Sequence, residues 1–219
     1  LLHLAVRTRP DISVAVSVLA KHVQEPKPCH WESVKRVLRF LKGTAKHGLC
    51  YASTGPDPTL KIYCDADWAF DPEDRHSRSG VVCYLGNSLV AWKSRRQATP
   101  SVSSCEAEYI ALFEAGRDAV WIRSLLCELG MCAGKIPTRI LHDNQGSISW
   151  AQGGLRKVKH VELKYHHTQH LIEWADSNRL RGVRDERGGR DDLGTLWTIF
   201  PSCVRNAEHC LIERECRKH

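Results

Sequence analysis

The sequence predicts an α/β chain in which a mixed sheet flanked by helices is preceded by a helical hairpin. Apolar residues recur at helical spacing near the N-terminus, three short β-like runs then follow one another, and a long helical run leads to a further strand and more helices. The resulting order is β, β, β, α, β, α, α after the hairpin.

The first helix is expected over residues 10 to 25. There Ile12, Val16, Leu19 and Val23 share a face, and after Pro10 either Asp11 or a neighbour can serve the helix start. The second is expected from Cys29 to Lys42, with Trp31, Val34, Val37, Leu38 and Leu41 as its apolar stripe and Gly43 as its end. Its other face carries Lys35, Arg36, Arg39 and Lys42, which either meet water or contact a nucleic-acid backbone. Glu25-Pro-Lys-Pro28 joins the two helices as a turn, and Gly55-Pro-Asp-Pro58 marks a domain boundary. Beyond it, strands are expected at Leu60 to Cys64, Gly80 to Leu85 and Ser88 to Lys93, the last two joined at Gly86-Asn87. A helix from Ser104 to Leu129 stops at Gly130, a strand runs from Thr138 to His142, and helices are expected from Gly146 to Gln152 and from Val161 to Trp174.

Three segments place acidic residues at the ends of these elements: Ile62-Tyr-Cys-Asp-Ala-Asp-Trp68, Ser103-Ser-Cys-Glu-Ala-Glu-Tyr109 and Leu141-His-Asp-Asn-Gln145. Carboxylates delivered to one point by separate elements form an oxygen-rich cage suited to Mg²⁺ or Mn²⁺ rather than zinc. Two such ions, roughly 3.5 to 4 Å apart, support phosphodiester hydrolysis. Strand alternation puts Asp65 and Asp67 on one face, so either can meet the metals, and spacing alone does not choose between Glu106 and Glu108. Asn144 and Gln145 can bond a substrate backbone or cap the helix that follows. Trp92-Lys-Ser-Arg-Arg-Gln97 joins an aromatic ring to three cations, a composition that suits a nucleic-acid surface or a half-buried strand with solvated charges.

Composition narrows the classes. A hydrophobic share of 42% and a charged share of 26% in 219 residues fit one or two globular domains rather than a disordered chain. The net charge of +7, with 12 histidines besides, would draw a polyanion. No apolar run approaches the roughly 18 residues of a membrane span, and neither a signal peptide nor a membrane partner is expected. Ten cysteines without a CxxC pair read as reduced thiols, and Leu1 in place of Met reads as a fragment of a longer protein.

Nine ordered stretches carry a family resemblance: Thr8-Arg-Pro-Asp-Ile12, His30-Trp31, Lys35-Arg-Val-Leu-Arg-Phe-Leu-Lys-Gly-Thr44, Asp65-Ala-Asp-Trp-Ala69, Ser77-Arg-Ser-Gly80, Trp92-Lys-Ser-Arg-Arg-Gln97, Glu106-Ala-Glu-Tyr109, Asp143-Asn-Gln145 and Lys159-His160. With them the chain resembles the reverse transcriptase end and ribonuclease H domain of Ty1/copia-type retrotransposon Pol polyproteins. The resemblance implies a helical reverse transcriptase C-terminal segment, thumb- or connection-like, at 1–55 and a ribonuclease H-like domain at 56–175. It implies hydrolysis of the RNA strand of RNA:DNA hybrids, with two Mg²⁺ or Mn²⁺ ions on Asp65, Glu108 and Asp143. Asn144, Gln145, Lys159 and His160 would face the substrate. The partners implied are the hybrid and the rest of the polyprotein, reverse transcriptase and integrase included. The place implied is a cytoplasmic virus-like particle, or the nucleus.

The likeness stops near Trp174. From Asp176 to His219 there are eight arginines, one lysine and three cysteines, without apolar periodicity, where the family carries a helix with a fourth acid. Arg184-Asp-Glu-Arg187 can be encoded so that a one-base shift reads Ala-Thr-Ser-Glu, close to the family's motif. Residues 176–219 are therefore expected to be an aberrant tail, frameshifted or disordered. A chain lacking the fourth acid is expected to cut slowly or only at raised Mn²⁺, and the alternative function is a catalytically dead, hybrid-binding remnant of a decayed element.

Overall fold

The computed structural model describes residues 1–51, 59–71, 73–131 and 138–151. The chain divides into two compact units, the first containing Leu1–Leu49 and the second beginning at Cys50. The Gly55-Pro-Asp-Pro58 boundary, the Val161–Trp174 helix and the tail all lie outside the described residues.

In the first unit, helix α1 (Leu2–Arg7) and a 3₁₀ turn (Pro10–Ile12) precede α2 (Ser13–Ala20), and α3 (Pro28–Gly43) follows. Ala5, Ile12, Val16 and Val37 form the buried centre, with Leu19 and Leu41 packed against it. The hairpin is thus present but has a third helix that the apolar pattern did not announce. The first expected helix is also split and stops at Ala20, leaving Val23 outside it and 72% exposed. Asp11 does not cap α2, whose N-cap is Ile12 without a side-chain bond. Instead it receives Arg9, whose Nη2 lies 2.7 Å from its Oδ2 and 2.5 Å from Thr44 Oγ1. The same guanidinium donates to the Thr44 carbonyl at 3.2 Å and lies over the Phe40 ring. Thr8-Arg-Pro-Asp and Gly-Thr44 are therefore two sides of one clasp that fixes the end of α3.

The face of α3 also differs from expectation. His30, Ser33 and Val37 are its buried residues, whereas Trp31 and Leu38 are exposed. His30 turns inward because its Nδ1 accepts the Lys27 N–H at 3.1 Å, closing the first turn of the helix.

Among the described residues, the second unit is built on a four-stranded mixed sheet of order β3-β2-β1-β4, comprising β1 (Leu60–Asp67), β2 (Arg78–Leu85), β3 (Ser88–Arg96) and β4 (Arg139–Leu141). The first three strands are antiparallel neighbours, and β4 lies parallel to β1. Gly86, at φ 60°, makes the β2–β3 turn that its glycine predicts. Between β3 and β4 runs α4 (Ser104–Glu128), the crossover that a parallel pair requires. Gly130 at φ 69° and the Met131 N–H bond to the Leu126 carbonyl, 2.8 Å, terminate it.

Strand β1 alternates cleanly. Leu60, Ile62, Cys64 and Ala66 are buried, and they share a core with Ala107, Ala111, Ala115, Ala119 and Ile122 of α4. Small residues every four positions let α4 approach the sheet closely. Gln97, 2% exposed, ties the end of β3 to the start of α4 by donating to Ser79 Oγ and to the Ala107 carbonyl, each at 2.9 Å. Helix α5 (Gln145–Ser149) follows β4. Cys50, Cys64, Cys83 and Cys105 are free thiols, two of them buried, as the reading of reduced cysteines expects, whereas Cys29 and Cys127 are disulfide-bonded and depart from it. Among the described residues no helix is long and apolar enough to cross a membrane.

Candidate active site

The parallel pairing of β1 and β4 brings their C-terminal ends together, and α4 starts beside them. The register Tyr63↔Leu141 sets Asp65 two residues past the last pair on one strand and Asp143 two residues past it on the other. From α4, Glu108 is buried and its Oε2 accepts the Ala66 N–H at 2.9 Å. Ligand atoms of Glu108, His142 and Asp143 lie within 4.8 Å of one another.

The electrostatics agree with a crowded anionic centre. Burial, then the charges of Asp65 and Asp143, push the Glu108 carboxyl up to about 8, against the opposing effect of the Ala66 N–H. Burial and then Asp143 likewise raise Asp65, while the Ala66 N–H and His142 pull the other way. Like charges brought together without a full counter-charge hold on to protons, and a cation placed among them would displace those protons.

The structure also separates acids that the sequence could not. Glu106 closes the N-terminus of α4: its N–H donates to Ser103 Oγ at 3.2 Å, and its Oε2 accepts the Val102 N–H at 2.7 Å. Two residues on a helix are about 200° apart in direction, so Glu108 points to the sheet instead. Asp65 and Asp67 share a face as expected, but Asp65 is half-buried and raised by that burial and then by Asp143, whereas Asp67 is exposed.

Asn144 is the N-cap of α5 and accepts the Ser147 N–H at 2.9 Å. Gln145 is the first residue of that helix and is exposed. Lys159 and His160 lie outside the described residues. The Trp92–Gln97 segment is less free for nucleic acid than its composition suggests. Lys93 pairs with Asp118, Arg96 Nη2 pairs with Asp74 at 2.6 Å, and Gln97 is interior.

His142 was not singled out by sequence reasoning. Its side chain is 2% exposed, with Nε2 at 3.8 Å from Glu108 Oε2. Nδ1 faces the Cys64 carbonyl at 3.1 Å and Nε2 faces Ser147 Oγ at 2.5 Å. Both ring nitrogens are thereby engaged, which leaves carboxylate oxygens as the donors of the site. An all-oxygen, strongly anionic donor set fits Mg²⁺ or Mn²⁺ and fits zinc poorly.

A mixed sheet in which an interior strand carries Asp65 near its C-terminal end, its parallel neighbour is followed two residues on by Asp143, and the crossover helix adds Glu108, has the architecture of a ribonuclease H-like domain. The chain is 35% identical over 175 residues to the retrovirus-related Pol polyprotein from transposon TNT 1-94 of Nicotiana tabacum, covering 79% of this chain and 13% of that one. It is 38% identical over 178 residues to the corresponding polyprotein from transposon RE2 of Arabidopsis thaliana, covering 80% and 12%. It is 45% identical over 124 residues to the secreted RxLR effector protein 161 of Plasmopara viticola, covering 56% of this chain and 85% of that protein. Its homologues are thus retrovirus-related Pol polyproteins of copia-type transposons, at 35 to 38% identity over about 80% of this chain. It spans only about an eighth of the length of the polyproteins it matches. No family model matches it. A solved N-terminal RNase H domain from Mycobacterium tuberculosis, fused to maltose-binding protein, aligns at 20% identity with a TM-score of 0.38, over 53% of this chain and 76% of that one, a likeness too weak to carry weight.

Proposed function

We propose that the second unit is the ribonuclease H of a copia-type retrotransposon and hydrolyses the RNA strand of RNA:DNA hybrids formed during reverse transcription. The observation that carries this reading is the convergence of Asp65, Glu108 and Asp143 from three separate elements into one anionic cage, with Asp65 and Glu108 both driven toward protonation. These three residues would hold two Mg²⁺ or Mn²⁺ ions, which when bound supply a water nucleophile and stabilise the leaving 3′ oxygen. Glu108 is anchored by the Ala66 N–H and so presents its remaining oxygen at a fixed place. Asn144 is committed to the α5 cap through its Oδ1, leaving its amide N–H groups as donors for a substrate oxygen, with exposed Gln145 beside it.

The first unit is, on this reading, the C-terminal helical segment of the reverse transcriptase, and the remaining polyprotein with its integrase is the partner. The test is cleavage by the full chain of a hybrid labelled on its RNA strand, with single-stranded RNA and double-stranded DNA as controls. RNA-strand cleavage confined to the hybrid and requiring Mg²⁺ or Mn²⁺ supports the reading. Tight hybrid binding without cleavage in either ion would favour the dead, hybrid-binding remnant instead.

A further inference from the structure

Asp143 lies past the end of any strand ladder. Strand β4 has only three residues, and its last pair with β1 is Tyr63↔Leu141. Something other than backbone pairing must hold Asp143 against two like charges. The side chain one residue earlier makes the connection. His142 Nδ1 donates to the carbonyl of Cys64, the residue before Asp65, at 3.1 Å. Its Nε2 lies 2.5 Å from Ser147 Oγ, in the first turn of α5. Ser147 is fully buried, and its Oγ also reaches the Asn144 carbonyl at 2.8 Å. One ring thus spans from β1 beside Asp65 to the helix that begins just after Asp143.

We propose that His142 is a positioning residue of the metal centre, a buried strut that fixes the spacing between Asp65 and Asp143 before any cation binds. This rests on the three-carboxylate reading above. The strut sets that spacing without donating a lone pair to the ion, because both its nitrogens are spent on the protein. Residues that orient metal ligands through hydrogen bonds typically account for about 10- to 100-fold in metal affinity.

The experiment is Mn²⁺ binding to the full chain by calorimetric titration, with electron spin echo spectroscopy of the bound ion, for the parent, His142→Ala, His142→Gln and Ser147→Ala. Circular dichroism melts in metal-free buffer check folding. His142→Ala should bind Mn²⁺ about 10-fold or more weakly while keeping its secondary structure. His142→Gln, which retains a donor and an acceptor, should recover most of that affinity, and Ser147→Ala should fall between. The parent's bound Mn²⁺ should show no ¹⁴N coupling from a histidine. Unchanged affinity in His142→Ala, no recovery in His142→Gln, or a ¹⁴N coupling that vanishes in His142→Ala would each overturn the proposal, the last by making His142 a ligand. If the parent itself binds no Mn²⁺, the three-carboxylate reading fails and the proposal falls with it. If His142→Ala does not fold, equal Mn²⁺ affinity in Ser147→Ala and the parent overturns the proposal by itself.

Discussion

Replacing Glu108 with Gln removes one charge from the cage while keeping an oxygen that can accept the Ala66 N–H. The Glu108 carboxyl is raised from 4.5 to about 8, chiefly by burial and then by Asp65 and Asp143. A group whose folded-state pKa lies above its unfolded value favours the fold below the unfolded value. It loses that advantage as pH climbs toward the folded one. The metal-free parent should therefore become less stable between pH 5 and 8. At pH 7 the folded chain must keep a proton that the unfolded chain has released, a cost of about 3 kcal/mol at about 1.4 kcal/mol per unit. For a chain of this size that corresponds to roughly 6 to 12 °C in Tm. Melts in chelator across pH 5 to 8 should show a falling Tm for the parent and a flatter profile for Glu108→Gln, with the variant more stable at pH 7 to 8. Millimolar Mg²⁺ should raise the parent at pH 8 and move the variant less. Parallel pH profiles for the two proteins would refute the electrostatic account of the cage.

Other outcomes follow from the same geometry. A Cβ on Gly146 would lie 3.0 Å from Cys105 Sγ and 3.1 Å from Asn144 Oδ1. Gly146→Ala should thus cost about 1 to 3 kcal/mol by overpacking, read by urea unfolding, and Cys105→Ala in the same chain should restore most of it. Arg9→Ala should destabilise the first unit by about 2 to 3 kcal/mol, since it removes charge-assisted bonds from Asp11 and Thr44, measured as an earlier urea transition. Hybrid binding, followed by fluorescence anisotropy, should be tighter than binding to double-stranded DNA and should weaken steeply with salt as Lys and Arg contacts release counterions.

Much of the second unit was legible because its punctuation is local. Gly86-Asn87 marks the β2–β3 turn and Gly130 ends α4, each through its own backbone chemistry. The three acid-bearing segments were legible as ends of elements for the same reason. The choice within each segment was not. Asp65 is half-buried where Asp67 is exposed, and Glu106 differs from Glu108 by about half a turn of helix, which decides between capping and facing the sheet. His142 stayed hidden because its partners, Cys64 and Ser147, meet it only after β4 pairs with β1. In the first unit, Trp31 and Leu38 fit an apolar stripe by spacing, yet burial there is taken by His30, Ser33 and Val37. The hairpin offers too small a surface to cover every apolar side chain. Helix α1, six residues without a capping bond, carries no sequence signal of its own.

The most direct measurement is single-turnover cleavage of a labelled RNA:DNA hybrid by the full chain and by Asp143→Asn, in Mg²⁺ and in Mn²⁺, with hybrid affinity measured alongside. The parent should cleave the RNA strand, slowly in Mg²⁺ and faster in Mn²⁺. Asp143→Asn should not cleave yet should bind the hybrid as well as the parent or better, because one repelling charge is gone. Equal cleavage by Asp143→Asn and the parent would contradict the three-carboxylate site.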